Sequence, residues 1–441
     1  MRSSLLAATL AALTASSAAI PTIEVKGSKF FTSEGDQWFI KGIAYQLVPE
    51  DPLIDTDQCE RDASLMSELG ANAIRVYHVN PSGDHTGCMS AFAEKGIYAF
   101  IDLDDFDTQI EQNHPWWNET QHSMFSDVMD AFHTFENVAG FFVGNEVITM
   151  KNGSLAAPYV KAAARDMKAY RDSKDYRQIP IGYSAADIAT LRPMLQNYLA
   201  CGTNYSESLD FFALNAYEWC GKTTFEESGY AALTKNVTEY SIPIYFSETG
   251  CNTVRPRTFA DQAAIFGPKM APYWSGSIVY EWIQEANNYG LISYGEKVDP
   301  SLPDAPPDGF TRSGTPTPVQ PDFDNLKSQW QTLTPSGVQK SAYTPSLAAP
   351  PCPTRISDFW DVDGDVSLPS IGQQLDLEGS ATATVTATGT GSALVPTSGA
   401  GAVGEGAAGE EGAAGRMAPS REWVWGVVVA LAAVGMGMVL L

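Results

Sequence analysis

The sequence predicts a (β/α)8 barrel, an α/β fold of eight parallel strands surrounded by helices, followed by a disordered C-terminal stalk. Eight short apolar runs rich in β-forming residues recur over about 250 residues, the usual length of such a barrel. Several runs are continuously apolar, as expected for strands covered on both faces. The runs are Phe39–Tyr45, Ala73–Tyr77, Ile97–Leu103, Gly140–Asn145, Ile179–Tyr183, Phe211–Tyr217, Ile244–Ser247 and Gly276–Tyr280.

Amphipathic segments separate most of these runs and predict the surrounding helices. A doubly wound open sheet is the alternative arrangement. That fold would place a glycine-rich phosphate-binding turn after the first strand, and the sequence has no such turn. Examples of the helical segments are Cys59–Leu69, Ser123–Phe135, Pro158–Tyr170 and Phe259–Met270.

Charge and the N-terminal segment indicate an exported protein. The 441 residues carry a formal charge of −25, from 27 basic and 52 acidic side chains, which argues against nucleic-acid binding. Arg2, the apolar stretch Leu5–Leu13 and the small residues Ser17–Ala19 predict a secretory signal peptide over residues 1–19. A short buried helix is the alternative for that segment.

Six cysteines in an exported chain predict three disulfides, and fifteen pairings are open on the count alone. The cysteines form no CxxC pair or Cys/His cluster, so neither a metal site nor any other cofactor is expected. Four sequons indicate a glycosylated surface; they begin at Asn118, Asn152, Asn204 and Asn236.

The C-terminal part divides by composition. Residues 20–368 are predicted to form the catalytic barrel with an extension that Cys352 fastens back to it. Within that range Asp299–Pro321 reads as a long exposed loop and Phe323–Leu333 as a short helix. Residues 369–415 are rich in Ala, Gly, Thr and Ser and predict a disordered, O-glycosylated stalk.

The last residues favour a glycosylphosphatidylinositol (GPI) attachment signal over a retained transmembrane helix. The apolar segment Trp423–Leu441 ends the sequence, and the polar spacer Arg416–Glu422 precedes it. Small residues at 412–415 provide an ω-site, so residues 416–441 would be removed. The expected location is therefore the outer face of the plasma membrane, or the cell wall.

Two glutamates carry the predicted chemistry. Glu146 follows the fourth predicted strand and Glu248 the seventh, and the C-terminal ends of barrel strands face the active site. Two carboxylates at one mouth can cleave a glycosidic bond. We assign Glu146 as acid/base, since the adjacent Asn145 can donate to a sugar 2-hydroxyl, and Glu248 as nucleophile. The alternative is that each glutamate pairs with an arginine or caps a helix.

Other polar and aromatic side chains crowd the strand ends. Aromatic faces can stack on sugars, with ordinary core packing as the alternative. Asp187 and Arg192, after the fifth strand, could bond sugar hydroxyls or pair with each other. The aromatic candidates are Tyr77, Tyr217, Trp219, Tyr280, Trp282 and Tyr289.

Five motifs resemble those of the fungal β-1,3-glucanosyltransferases of glycoside hydrolase family 72. The resemblance spans about residues 20 to 360 and is most specific in the last two motifs. The motifs are Arg75–Tyr77, Val143–Glu146, Tyr183–Asp187 with Arg192-Pro193, Phe246–Asn252 and Gln284–Gly290.

The resemblance implies a GPI-anchored enzyme that cuts β-1,3-glucan internally and transfers the new reducing end to another glucan chain. It implies the same roles for Glu146 and Glu248, with donor and acceptor glucan as partners and no required protein partner. Tyr77, Asn145, Asp187 and Arg192 would contact donor or acceptor sugar, with Tyr280 and Tyr289 near the acceptor. The implied disulfides are Cys59–Cys88, Cys201–Cys352 and Cys220–Cys251.

Two segments depart from the family pattern. The loop after the third strand, Asp102–Gln112, is poorer in Ser, Pro and Arg than in relatives, and Asp299–Pro321 is longer than usual. No cysteine follows Cys352, so the cysteine-rich carbohydrate-binding module of some members is not expected. The functional hypotheses are thus a transglycosylase, an endo-β-1,3-glucanase, and a non-catalytic glucan-binding wall protein.

Overall fold

The computed structural model describes residues 20–48, 50–303 and 305–377. The predicted signal peptide 1–19, the ω-site at 412–415 and the segment 416–441 lie outside the described residues, as does the predicted stalk beyond residue 377. Among the described residues, no helix combines the length and apolar character needed to span a membrane.

A β-hairpin precedes the barrel, formed by β1 (Ile23–Lys26) and β2 (Lys29–Thr32). The eight following strands pair in parallel and close into a ring in the order β10-β3-β4-β5-β6-β7-β8-β9, which confirms the predicted fold. These strands are β3 (Ile40–Ala44), β4 (Ala73–Val76), β5 (Tyr98–Asp102), β6 (Val138–Asn145), β7 (Ile181–Ala186), β8 (Phe211–Asn215), β9 (Ile244–Thr249) and β10 (Trp274–Val279).

Helices cross between consecutive barrel strands, and a last helix follows the barrel. The predicted segment Phe259–Met270 is helical over fewer residues, and Phe323–Leu333 is shifted by one residue. The helices are α1 (Thr56–Leu69), α2 (Thr86–Glu94), α3 (Glu119–Phe132), α4 (Ala157–Ser173), α5 (Arg192–Ala200), α6 (Tyr230–Lys235), α7 (Ala260–Ile265) and α8 (Asp322–Thr332), with a 3-10 turn at Lys151–Ala156.

Aromatic side chains fill the barrel interior. Phe100, Phe142, Phe211 and Tyr245 are fully buried and touch one another at ring separations of 5.2 to 6.5 Å. Phe30 of the β1–β2 hairpin joins them, with its ring 5.7 Å from Phe211, so the hairpin closes one end of the barrel. The interior is therefore a packed core, and chemistry is confined to the mouth.

The segment 299–321 is anchored to the barrel although most of it is irregular. Two short strands, β11 (Ile292–Ser293) and β12 (Thr317–Pro318), pair where it ends. The backbone N–H of Gly314 donates to Gln58 Oε1 on α1 at 2.7 Å, and Arg312 bonds Glu285 at 2.5 Å. These contacts fix the loop against two neighbouring elements.

The C-terminal extension continues beyond the predicted boundary at residue 368. Arg165 donates to the carbonyl of Pro369 at 2.7 Å, and Leu375 donates its N–H to the Tyr159 hydroxyl at 2.8 Å. Ile371 and Leu375 pack against the main core. Residues 369–377 thus continue the folded domain, because these hydrogen bonds and apolar contacts hold them on its surface.

Three disulfides join Cys59 to Cys88, Cys201 to Cys352 and Cys220 to Cys251, the pairs that the resemblance implied. The second one fastens the extension to the end of α5 across 151 residues. The first links α1 to α2 across 29 residues. The long bridge therefore constrains far more of the unfolded chain.

Removing the long bridge is expected to destabilise the domain by about 5 kcal/mol, since loop-closure entropy grows with loop length. The variant is Cys201→Ala with Cys352→Ala, measured by denaturant unfolding without reductant. Cys59→Ala with Cys88→Ala is the matched control and should lower the free energy of unfolding by about 3.5 kcal/mol. If removal of the long bridge lowered the free energy of unfolding less than removal of the short one, the entropic account would be contradicted.

Candidate active site

The two predicted glutamates lie at the same mouth of the barrel. Glu146 directly follows β6, and Glu248 is the fifth residue of β9. β7 and β8 lie between these two strands in the ring. The two carboxyls are close enough for the charge of Glu146 to raise the pKa of Glu248. The barrel thus brings together two carboxyls that are 102 residues apart in sequence.

Glu248 is held by two hydroxyl donors and one nearby cation. The Tyr77 hydroxyl donates to its Oε1 at 2.9 Å, and the Tyr217 hydroxyl donates to its Oε2 at 2.8 Å. The Arg75 guanidinium lies 3.6 Å from Oε1. Both carboxylate oxygens therefore accept hydrogen bonds, an arrangement that stabilises the ionised form and fixes the side chain.

Glu146 has a different environment. Its Oε1 accepts one hydrogen bond, from the side-chain amide of Asn215 at 3.0 Å. Its φ angle is +50°, in the left-handed region that non-glycine residues seldom occupy. A hydrogen bond from its N–H to the Ser184 carbonyl, at 2.8 Å, holds this backbone in place. Strained residues of this kind are concentrated at functional sites.

Burial raises the pKa of Glu248 to about 7. Arg75 opposes this shift, the negative charge of Glu146 adds to it, and the hydroxyls of Tyr217 and Tyr77 oppose it. The contacts of Glu248 with Arg75, Tyr217 and Tyr77 therefore counteract part of the effect of burial and favour its ionised form.

Arg75 is the centre of a buried polar layer beneath the carboxyls. It forms a bidentate pair with Asp102, at 3.1 and 2.7 Å, and donates to Ser184 and to Asn145 Oδ1. Burial alone would lower the pKa of Arg75, but the charge of Asp102 raises it on balance. Arg75 is therefore a fixed cation below Glu248.

Asn215 links the rest of this layer to the acid/base candidate. Its Oδ1 accepts from Ser184 and Ser247 at 3.0 and 2.8 Å. Its amide N–H groups can therefore point upward, to Asn145 Oδ1 at 3.1 Å and to Glu146. Because Asn145 Oδ1 accepts from both Asn215 and Arg75, the Asn145 amide is the group left to donate to a ligand.

Three tyrosines form an aromatic wall beside Glu248. The Tyr289 ring lies 5.6 Å from Tyr217 and 5.3 Å from Tyr280. Arg257 fixes the backbone on which two of them sit, donating to the carbonyls of Tyr280 and Tyr289 at 3.1 and 2.7 Å while pairing with Asp322. The wall is thus rigidly mounted next to the nucleophile candidate.

Glu281 forms the buried base of this wall. Gln46 donates to its Oε2 and to the Tyr280 hydroxyl, both at 2.6 Å, and Asn287 donates to Oε1 at 2.7 Å. Burial and the nearby charge of Glu285 raise the pKa of Glu281 to about 8. A neutral carboxyl at this position avoids a second charge close to Glu248.

The other candidates divide between the site and the core. Asp187 and Arg192 pair with each other, the simpler of the two alternatives. Trp282 is fully buried and donates to the Tyr294 hydroxyl at 3.2 Å, so it belongs to the core. Trp219 packs its ring 5.3 Å from that of Tyr230.

Sequence reasoning gave no role to several residues that build the site. They lie near the ends of barrel strands, on the inward face, and each is an isolated polar side chain in an apolar run. Position at the strand end was the available signal, but it does not separate a site residue from a buried structural one. These residues are Gln46, Asp102, Ser184, Asn215, Ser247 and Glu281.

A parallel eight-stranded barrel with two facing glutamates at its C-terminal mouth has the architecture of enzymes that cleave glycosidic bonds. The sequence matches the glucanosyltransferase family, glycoside hydrolase family 72, over residues 12–305. That match includes all eight barrel strands, and the chain belongs to this family.

Individual relatives agree with this assignment. Protein EPD1 of Candida maltosa is 41% identical over 82% of this chain and 64% of its own length. The 1,3-beta-glucanosyltransferase gas2 of Schizosaccharomyces pombe is 40% identical over 78% and 74%. The chain thus spans somewhat less than two thirds of the first of these relatives.

Solved structures give the same result. Saccharomyces cerevisiae Gas2p in complex with laminaritriose and laminaritetraose superposes with a TM-score of 0.72 at 37% identity. The superposition covers 80% of this chain and 78% of that one. The similarity therefore extends over nearly the whole described domain.

Proposed function

We propose that this protein is a β-1,3-glucanosyltransferase that cleaves β-1,3-glucan internally and joins the new reducing end to the non-reducing end of another glucan. The observation that carries the proposal is the pair Glu146 and Glu248, which lie at one barrel mouth with different hydrogen-bond partners, in a chain of the glucanosyltransferase family. Relatives named for this activity and Gas2p bound to laminari-oligosaccharides support the substrate.

The two half-reactions use the same two carboxyls. Glu248 attacks the anomeric carbon while Glu146 protonates the departing glycosidic oxygen, so the C–O bond breaks and a covalent glucosyl ester forms. Glu146, now a carboxylate, then removes the proton from an incoming hydroxyl, which displaces Glu248. Asn145 donates to the sugar 2-hydroxyl, a contact that strengthens in the transition state.

Transfer requires that an acceptor sugar reach the ester before water does. The wall of Tyr217, Tyr280 and Tyr289 offers aromatic faces and hydroxyls beside Glu248. A sugar bound against these tyrosines has its hydroxyl oriented for attack on the ester. A water molecule is not held in this way. Tyr77 contributes through its hydrogen bond to Glu248. Asp187 and Arg192 would contact sugar as a pair.

The proposed place of action is the outer face of the plasma membrane. The sequence ends in a spacer and apolar segment typical of a GPI signal, and its N-terminus is typical of a secretory signal. The relatives are likewise consistent with a protein of the cell surface. The membrane partner would thus be the lipid anchor, with glucan chains as substrates.

Incubation of the purified protein with a reduced laminari-oligosaccharide should give products both longer and shorter than the substrate. The longer products arise only if the covalent glucosyl unit passes to a second oligosaccharide. Mass spectrometry of the mixture over time measures this. Products that are only shorter would favour the endo-β-1,3-glucanase, and tight binding without any change in length would favour a non-catalytic glucan-binding protein.

The pH profile should report the ionisation of Glu248. Burial raises the pKa of Glu248 to about 7, and the nucleophile must be ionised to attack, so the acid limb of kcat/KM should follow this group. The measurement uses a β-laminarioligosaccharyl fluoride, whose leaving group needs no protonation.

Tyr217→Phe tests the assignment of the acid limb to Glu248. It removes a hydrogen bond that favours the ionised carboxylate, so the pKa of Glu248 should rise and the acid limb should move to higher pH. An unchanged acid limb in Tyr217→Phe, or a shift to lower pH, would contradict the assignment of that limb to Glu248.

A further inference from the structure

Two arginines of the loop between β9 and α7 bind the backbone that carries part of the tyrosine wall. That backbone is the segment 280–290, which follows β10. Arg255 donates to the carbonyl of Asn288 at 2.6 Å. Arg257 donates to the carbonyl of Gly290 at 3.3 Å, besides those of the two tyrosines. The loop that follows the nucleophile strand therefore holds the segment by four of its carbonyl groups.

Helix α8, which follows the barrel, holds Arg257 at three points. Asp322 Oδ2 accepts from the Arg257 Nε at 2.8 Å, and Asp322 Oδ1 accepts from the Arg257 backbone N–H at 3.1 Å. The side-chain amide of Asn325 donates to the Arg257 carbonyl at 2.7 Å. Asp322 Oδ2 also accepts from Arg255 at 2.9 Å, so one carboxylate holds both arginines. We call these three charged side chains, Arg255, Arg257 and Asp322, the arginine bracket.

A buried ion pair is a poor device for stability alone. The side chains of Arg257 and Asp322 are each 1% exposed, and charges at such depth lose their hydration. Apolar side chains of similar volume often give an equally stable protein. The ring of Phe259 lies 4.8 Å from the Arg257 guanidinium, and its φ angle of +50° is strained for a bulky residue. A buried ion pair on a strained loop is expected where the geometry of a functional site has to be fixed.

The segment held by the bracket determines where the wall stands relative to the nucleophile. The Tyr289 ring packs against both Tyr280 and Tyr217, and the Tyr217 hydroxyl donates to Glu248. Tyr280 and Tyr289 lie on the segment, whereas Tyr217 follows β8. A shift of the segment would therefore move two tyrosine rings relative to Glu248, on which the glucosyl ester forms.

We propose that Asp322, acting through Arg255 and Arg257, is a positioning residue that favours transfer over hydrolysis. It holds the tyrosine wall where the hydroxyl of a bound sugar can attack the glucosyl ester. Water is not held by the wall, so loss of the bracket should slow transfer more than hydrolysis. This role rests on the proposed function, because it concerns the second half-reaction of that transfer.

Asp322→Asn in the purified protein tests this role. The donor is a β-laminarioligosaccharyl fluoride, the acceptor is a reduced laminari-oligosaccharide, and fluoride release reports the first half-reaction. Mass spectrometry gives the ratio of transfer products to hydrolysis products at a fixed acceptor concentration. We expect that ratio to fall about 10- to 100-fold, since misplacing a reacting group by about 1 Å changes rates on this scale. Fluoride release should fall by much less.

Asp324→Asn is the matched control. It removes the same charge from the same turn of α8, but Asp324 is exposed, so the ratio should stay at the wild-type value. Arg255→Ala is a second variant, because the Arg255 side chain is 38% exposed and its removal leaves the buried pair intact. It should lower the ratio by a smaller factor, and Arg255→Lys, which keeps a charged donor, should recover part of it.

An unchanged ratio in Asp322→Asn, or a proportional loss of fluoride release and transfer, would overturn the positioning role. If Asp322→Asn did not fold, Arg255→Ala would decide, and an unchanged ratio in that variant would overturn the role. A wild type that released fluoride but formed no product longer than the acceptor would instead overturn the proposed transferase function.

Discussion

Replacing Glu248 with alanine is expected to lower the rate of β-1,3-glucan cleavage by about 10⁴-fold or more, the scale on which removal of a nucleophile acts. The variant keeps Tyr77, Tyr217 and Arg75 but has no carboxylate to attack the anomeric carbon. The rate is measured by following the loss of laminarihexaose with mass spectrometry. Glu226→Ala is the matched control, because Glu226 is exposed and paired with Lys269.

Azide distinguishes a lost nucleophile from a lost fold. In Glu248→Ala, azide can enter the space of the missing carboxylate and attack an activated β-laminarioligosaccharyl donor from below the ring. The product would be an α-glycosyl azide, formed by a single inversion. A β-glycosyl azide from this variant would contradict the nucleophile assignment.

Replacing Glu146 with alanine is expected to lower glucan cleavage by about 10²- to 10⁴-fold, the range for general acid catalysis. The loss should be much smaller in the first half-reaction of a laminarioligosaccharyl fluoride, since fluoride departs without a proton. The covalent glucosyl ester should then accumulate, because no base activates the acceptor. Intact-protein mass spectrometry would detect it as an added oligosaccharide mass.

Azide should act differently on this variant. It needs no base, so it would displace Glu248 from the ester and give a β-glycosyl azide by double inversion. Equal losses of rate for glucan and fluoride, without accumulation of the ester, would contradict the acid/base role. The two alanine variants together therefore test both assignments by product stereochemistry.

The architecture was predictable because it repeats. Eight apolar runs alternating with amphipathic segments leave few arrangements, and the ring of parallel strands confirms the barrel. The β1–β2 hairpin was not predicted, although Phe30 closes the barrel core. Its strands are four residues each, too short for a periodic signal.

The boundary of the domain was predicted too early for a similar reason. Composition changes gradually after residue 368, but Ile371 and Leu375 still pack on the core. Two apolar residues hardly change the average composition of a long segment. In the structure, however, they pack on the core, and Arg165 and Tyr159 bond the backbone beside them.

The sequence by itself determined the barrel and the two carboxyls, because strand periodicity dictates which residues end a strand and the parallel barrel brings those ends to one mouth. Only the tertiary structure decided how the carboxyls differ. Glu248 is surrounded by Tyr77, Tyr217 and Arg75, and Glu146 by Asn215. Hydrogen bonding and burial depend on side chains from distant strands, and these contacts give the two carboxyls their different environments.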